Sequence, residues 1–182
     1  MFWRPEVFPG TVILAPAPKG FEGKSLAALP DLAPLVIDRQ DGAEHHVVLA
    51  DPDGDHYLWQ PDGDSGRGLA VILPLDDASD LRLEAIGRLL RRLRGQPSGP
   101  LPSGLRLTPQ QRLHLIQRLH ALDFHLVGAG PRDIAAALLD KNAALLPAIE
   151  WKSSATRRKA NRLIRDALAL MNGGYRKLLR GD

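Results

Sequence analysis

Residues 151–180 read WKSSATRRKANRLIRDALALMNGGYRKLLR, and residues 152–180 carry nine Lys or Arg against one acid, Asp166. Wound as a helix over 154–171, the segment separates into two faces at the 3.6-residue period. Ala160, Leu163, Ile164, Ala167, Leu168 and Met171 fall on one stripe, and Arg158, Arg162 and Arg165 fall opposite. Ser153 or Ser154 supplies an oxygen that accepts from the free backbone N–H groups at the start. Asn172-Gly173-Gly174 supplies the positive-φ residue that commonly stops a helix. An apolar face for a core and a dense cationic face outside is the form of a DNA recognition helix. A merely solvated face usually intersperses both signs, and this one does not.

Upstream, residues 105–150 also read as helical. Thr108-Pro109-Gln110-Gln111 sets a capping residue, Pro at the first helical position and Gln three after the cap. That helix is expected to run to about Leu126, with Leu113, Ile116, Leu119, Leu122 and Leu126 on or near one side. Val127-Gly128-Ala129-Gly130 breaks it, and PRDIAAALL at 131–139 forms a short helix whose small residues allow close approach. A looser stretch, 140–151, leads into the basic helix. Two helices with the second one basic make a helix-turn-helix, although its usual turn takes only three or four residues. Tyr175–Arg180 is expected as a last helical turn beneath this bundle.

The preceding ten residues, GQPSGPLPSG at 95–104, contain three Pro, three Gly and two Ser. Such a composition predicts a linker over 96–104, between modules 1–95 and 105–182. Before it, Leu81, Ile86, Leu89, Leu90 and Leu93 make a helical stripe, with Ser79 as the expected cap. Residues 1–75 instead place short apolar runs between turn signals: TVILA at 11–15, Leu35–Arg39, Asp41-Gly42, His46–Ala50, DPDG at 51–54, His56–Gln60 and Leu69–Leu73. The expected fold class is α+β: an antiparallel β-meander with one covering helix, then an all-helical, helix-turn-helix-like domain.

Charge follows the same division. Residues 1–102 hold ten Lys/Arg and fifteen Asp/Glu, whereas residues 103–182 hold fourteen and six. The asymmetry suits a C-terminal half that meets a polyanion. With no cysteine among 182 residues, disulfides and thiolate metal sites are excluded, and a reducing cytoplasm is the expected home. No apolar run approaches the roughly 20 residues of a membrane span.

Other motifs give no chemistry. GDSG at 63–66 matches a serine-protease environment, but no His and Asp stand at the spacing that fold requires. DPDGD at 51–55 opens like a calcium loop yet has Asp62 where the closing Glu belongs. His45, His46 and His56 fix no ligand spacing, and His114 and His120 do not share a helical face. Trp151 reads as an anchor that seats the basic helix. No catalytic, cofactor or metal residues are expected.

The order of IAAALL at 134–139, Trp151, Arg158, Arg162 and GGYRKLL at 173–179 resembles the DNA-binding domain family of RovC-type transcription factors, a helix-turn-helix variant of proteobacteria. FWRPEV at 2–7 and VILPLD at 71–76 are similar to longer members. The resemblance implies regulators of type VI secretion genes and of excision and transfer of integrative and conjugative elements. Both activators and antiactivators occur among them. By position it implies DNA contact by Arg158 and Arg162 with Lys152, Arg157 and Lys159; Ser153, Ser154 and Arg165 complete the candidate set. Longer relatives carry a segment before the FWRPEV position that this sequence does not show, so promoter choice or polymerase contact is expected to differ. The expectation is an activator that binds double-stranded DNA as a homo-oligomer and contacts another regulator or RNA polymerase. The alternative is an antiactivator acting through protein contact.

Overall fold

Residues 4–25, 28, 29, 33–62 and 68–181 are described in a computed structural model of the chain. The GDSG motif lies outside the described residues. Five strands form one sheet: Thr11–Pro16 (β1), Leu35–Asp41 (β2), Glu44–Leu49 (β3), His56–Gln60 (β4) and Leu69–Ile72 (β5). Turn chemistry delivers the expected meander β2-β3-β4. Gly42 takes φ 60° between β2 and β3, and Gly54 takes φ 108° between β3 and β4. The sheet as a whole is mixed. Its order is β2-β3-β4-β1-β5, with β1 parallel to β4 and antiparallel to β5. A parallel neighbour needs a long crossover rather than a hairpin, and residues 17–34 between β1 and β2 provide the length.

Helix Ser79–Leu93 (α1) covers the sheet, as its leucine stripe predicts. Ala85, Ile86 and Leu89 join Val12, Leu14, Val47, Leu49 and Leu58 in one buried cluster. The first turn differs in detail. Ala78 holds the cap position, and its N–H donates to Asp76 Oδ1 at 3.1 Å.

Two arginines of α1 are buried. Arg82 is bonded by Asp76 and the Pro5 carbonyl, and Arg88 donates to the carbonyls of Asp53, Gly54 and Gly99. Arg88 and a second network fasten the Pro- and Gly-rich stretch 96–104 to α1 and to the β3–β4 turn. The Ser98 hydroxyl donates to Asp51 Oδ2 at 2.7 Å and lies 3.0 Å from His56 Nε2. Since that hydroxyl has spent its one proton, the His56 N–H donates to it. Gly99 N–H also bonds Asp53, and Ser103 N–H bonds Glu84. Composition reads this stretch as a linker, but its backbone and Ser98 are held at several points.

Burial, assisted by the nearby Arg88 charge, pushes the His56 pKa below its usual 6.5, although Asp51 opposes the shift. Burial works against the charge on Asp51 too, yet bonds from Ser98 and the Asp53 N–H outweigh it and hold the carboxyl low. Below about pH 6.5 the unfolded chain therefore binds more protons than the folded one. The His56 contribution to stability is present above that pH and lost as pH falls through the lowered value. The thermal midpoint should fall between about pH 7.5 and about pH 5.5, and His56→Gln, which keeps a donor for Ser98, should show a smaller fall. Equal falls in the two proteins would rule out His56 as the cause.

Contacts divide the chain into two units, one of residues up to Arg106 together with those from Arg176 onward, the other Leu107–Tyr175. The second contains Pro109–Leu126 (α2), Pro131–Leu138 (α3), a 3₁₀ turn at Lys141–Leu145, Ala148–Ser153 (α4) and Ala155–Ala169 (α5). Helix α2 starts at a complete capping box, in which Thr108 and Gln111 bond each other's backbone N–H. Such a cap is worth about 1 kcal/mol. Its leucine side does not face the core. Only Ala121 is fully buried on α2, while Leu113, Ile116, Leu119 and Leu126 are exposed.

After α5 the chain kinks at Leu170–Gly174, where Gly173 has φ 110°, and Met171 is 45% exposed. The last helix, Tyr175–Arg180 (α6), runs into Gly181, which has φ 80° and lies so close to Gly104 that an added Cβ would meet its backbone at 2.9 Å. Here the expectation of a turn beneath the helical bundle needs correction. From Arg176 the chain belongs to the sheet-containing unit, because a close glycine pair seats it there.

Candidate nucleic-acid interface

The core that positions α5 is small. Ile134 and Ala135 of α3 are fully buried and face Ile164 and Ala160 of α5, with Ala121 of α2 completing the contact. Small residues at 135 and 160 bring the two backbones close, as the alanine run of α3 suggests. Ala160, Ile164 and Ala167 are the buried positions of α5, at spacings of four and three, so the opposite face points outward. Arg158, Lys159, Arg162 and Arg165 lie on that outward side and are exposed.

Ser154 fixes where this face begins. Its Oγ accepts from the Arg157 N–H at 3.0 Å and donates to the Trp151 carbonyl at 2.9 Å, so one residue ends α4 and starts α5. The hydroxyl is thereby engaged locally. Trp151 is half-buried against Ala135 and Ala160, with the Arg132 guanidinium 5.6 Å from its ring centre, so it anchors the helix start. Arg132 also donates to the Leu146 carbonyl, which ties α3 to the connection.

The candidate cations differ in how free they are. Arg157 Nη1 folds back onto the Lys152 carbonyl and Arg158 Nη1 onto the Ser153 carbonyl. Both tether a guanidinium to the C-terminal carbonyls of α4 while leaving its other N–H groups to a ligand. Arg165 bonds Asp166 Oδ1 at 2.9 Å, an exposed pair that offsets its charge. Among the described residues, no ion-pair partner stands beside Lys159 or Arg162. Lys152 and Ser153 are exposed on α4, where the Ser153 hydroxyl donates to the Glu150 carbonyl.

Asn161 lies beside this set. It is exposed, three residues after Arg158 and four before Arg165, at the margin of the cationic face. An amide at that spacing was the available signal, since Asn can make paired bonds to adenine. The cue for helix α4 is Pro147 before Ala148 with Glu150 in the first turn.

A hollow of about 550 Å³ beside the start of α1 is lined by the acids Glu6, Asp76, Asp77, Asp80 and Glu84 together with Arg82 and Arg180. The basic end of α1 is occupied: Arg91 bonds the Ser98 carbonyl and Arg92 lies 3.7 Å from Asp51. His45 and His46 pair with Asp38 and Glu44. No group of three or more His, Cys, Asp or Glu among the described residues is placed to hold a metal ion. None of the described helices is long and apolar enough to cross a membrane.

A helix capped by serine, seated by two others and presenting clustered cations outward is an arrangement that small helical DNA-binding domains use. Residues 72–180 match the family model of the RovC-type DNA-binding domain, described as a type VI secretion (T6SS) transcription factor DNA-binding domain. The chain belongs to that family. Residues 10–71 match a second model, a domain of unknown function designated DUF7012. No curated protein and no solved structure matches this chain. The boundary between the two family matches falls at the end of β5, so α1 is counted with the DNA-binding family although its apolar side lies in the core of the sheet.

Proposed function

We propose that this protein is a sequence-specific transcriptional activator whose DNA-binding module is residues 107–175 and whose recognition helix is α5. The observation that carries this reading is the exposed set Arg158, Lys159 and Arg162, opposite the buried Ala160, Ile164 and Ala167, in a member of a DNA-binding family. Laid in a major groove, Lys159, Lys152 and Arg157 neutralise phosphates and set register. Arg158 or Arg162 reads guanine O6 and N7, and Asn161 reads adenine. Ser154 positions the start of the helix, and Arg165 makes a peripheral contact in competition with Asp166. No catalysis is required.

One helix buries little surface, so useful affinity favours a homo-oligomer on a repeated site. The promoters in view are those of type VI secretion genes, with conjugative-element genes as a second set, and the compartment is the cytoplasm. Contacts to RNA polymerase or another regulator fall to the sheet-containing unit. An antiactivator that had given up DNA should tolerate acids on α5, and Asp166 alone stands there. The test is a gel shift with DNA from beside the gene itself and a scrambled duplex of equal length, followed by a promoter reporter. Preferential binding and increased transcription are expected. Absence of binding even at low salt would overturn the reading.

A further inference from the structure

Helix α2 leaves an apolar face uncovered. Ile116 is 40%, Leu119 60% and Leu126 65% exposed, with Leu113 and Val127 beside them at 56% and 82%. A monomer rarely leaves so much adjoining apolar surface in water.

The positions are ordered. Pro109, Arg112, Ile116, Leu119, Asp123 and Leu126 follow one another at spacings of 3, 4, 3, 4 and 3. Those are the alternating core positions of a heptad seam, and Leu113, Leu115, Leu122 and Val127 flank it. Ala121, the one α2 residue fully buried in its own unit, falls on the far side of the helix. The seam is therefore a second surface and not part of the core that seats α5.

The series is also its own complement when reversed. A two-fold axis between Ile116 and Leu119, with the helices antiparallel, sets Ile116 against a second Leu119. The same axis sets Arg112 against a second Asp123 and Pro109 against a second Leu126. Such isologous pairing is the commonest route to a closed dimer. Neither Arg112 nor Asp123 has an ion-pair partner among the described residues. A parallel, in-register pair would instead stack Arg112 on Arg112 and Asp123 on Asp123, placing like charges together in the seam. Charge thus selects both orientation and register.

We propose that this face of α2 is a homodimer interface, two copies packing α2 against α2 antiparallel through Ile116, Leu119 and Leu126, with reciprocal Arg112–Asp123 pairs. The proposal rests on the reading that the protein acts as an oligomer, and names the surface responsible.

Sedimentation of the full chain without DNA, across a concentration series, tests it. Wild type should show a monomer–dimer equilibrium. Arg112→Asp alone, or Asp123→Arg alone, places like charges at both ends of the seam. Each should weaken the dimer at least about tenfold. Arg112→Asp combined with Asp123→Arg restores opposite charges and should recover affinity to within about threefold of wild type. Folding is little at risk, because an acid near the start of a helix and a base near its end favour it. Circular dichroism checks each variant. A wild type that stays monomeric at all concentrations overturns both the interface and the oligomer reading. A dimer indifferent to the single reversals, or unrescued by the double, overturns this interface and leaves the oligomer reading standing.

Discussion

Replacing Arg158, Lys159 and Arg162 together by Ala is expected to weaken binding to every duplex, by on the order of 100-fold at moderate salt. The magnitude of the log K against log[salt] slope should fall by about 0.9 for each lost phosphate contact. The fold should survive, since alanine is the strongest helix former and the buried Ala160, Ile164 and Ala167 are untouched. The Arg158 tether to the Ser153 carbonyl is exposed and costs little when removed. Single changes separate two roles. Lys159→Ala should weaken cognate and random DNA alike, as a phosphate contact does. Arg162→Ala or Asn161→Ala should lose roughly 1–3 kcal/mol on the cognate site only, if the side chain reads a base edge. A folded triple variant with unchanged affinity and salt slope would remove α5 as the recognition element.

What made α5 legible was agreement among independent local signals. The apolar stripe, the serine start and the Gly173 stop each mark the same helix, and the structure places it at Ala155–Ala169. Thr108 and Gln111 were equally plain, because a capping box is a contact between residues three apart. Information that lies between distant residues was not legible. Nothing in TVILA says that β1 inserts beside β4 and runs parallel to it, since strand periodicity carries no partner.

The α2 leucines show a related limit. Their spacing identifies an apolar seam, but spacing cannot tell a seam facing the chain's own core from one facing outward, and here Ala121 took the core. Arginine shows the same limit. On α1, Arg82 and Arg88 are buried because backbone carbonyls and Asp76 receive them. On α5, cations that look equivalent in sequence divide into tethered, paired and free once their neighbours are known.

The stability of the helical unit is the second large effect. Ile134→Ala should destabilise residues 107–175 by about 2–5 kcal/mol, the transfer and cavity cost of emptying a fully buried aliphatic site. The cost should lie towards the upper end because the surroundings cannot close in. Ala121 is too small to move into the space, and Ile164 is held by the register of α5 against α3. A domain of this length holds roughly 3–10 kcal/mol in all, so a large share of its stability rests on one side chain. Hydrogen exchange gives the readout. Amides of α2, α3 and α5 should lose protection while those of β1, β3 and β4 keep theirs, and DNA binding should fail at the temperature where the helices melt. Ile149→Ala is the control: that residue is 84% exposed, and its loss should change stability by less than about 0.5 kcal/mol. If Ile134→Ala cost no more than the control, the packing of α3 on α5 would not be what holds the cationic face in place.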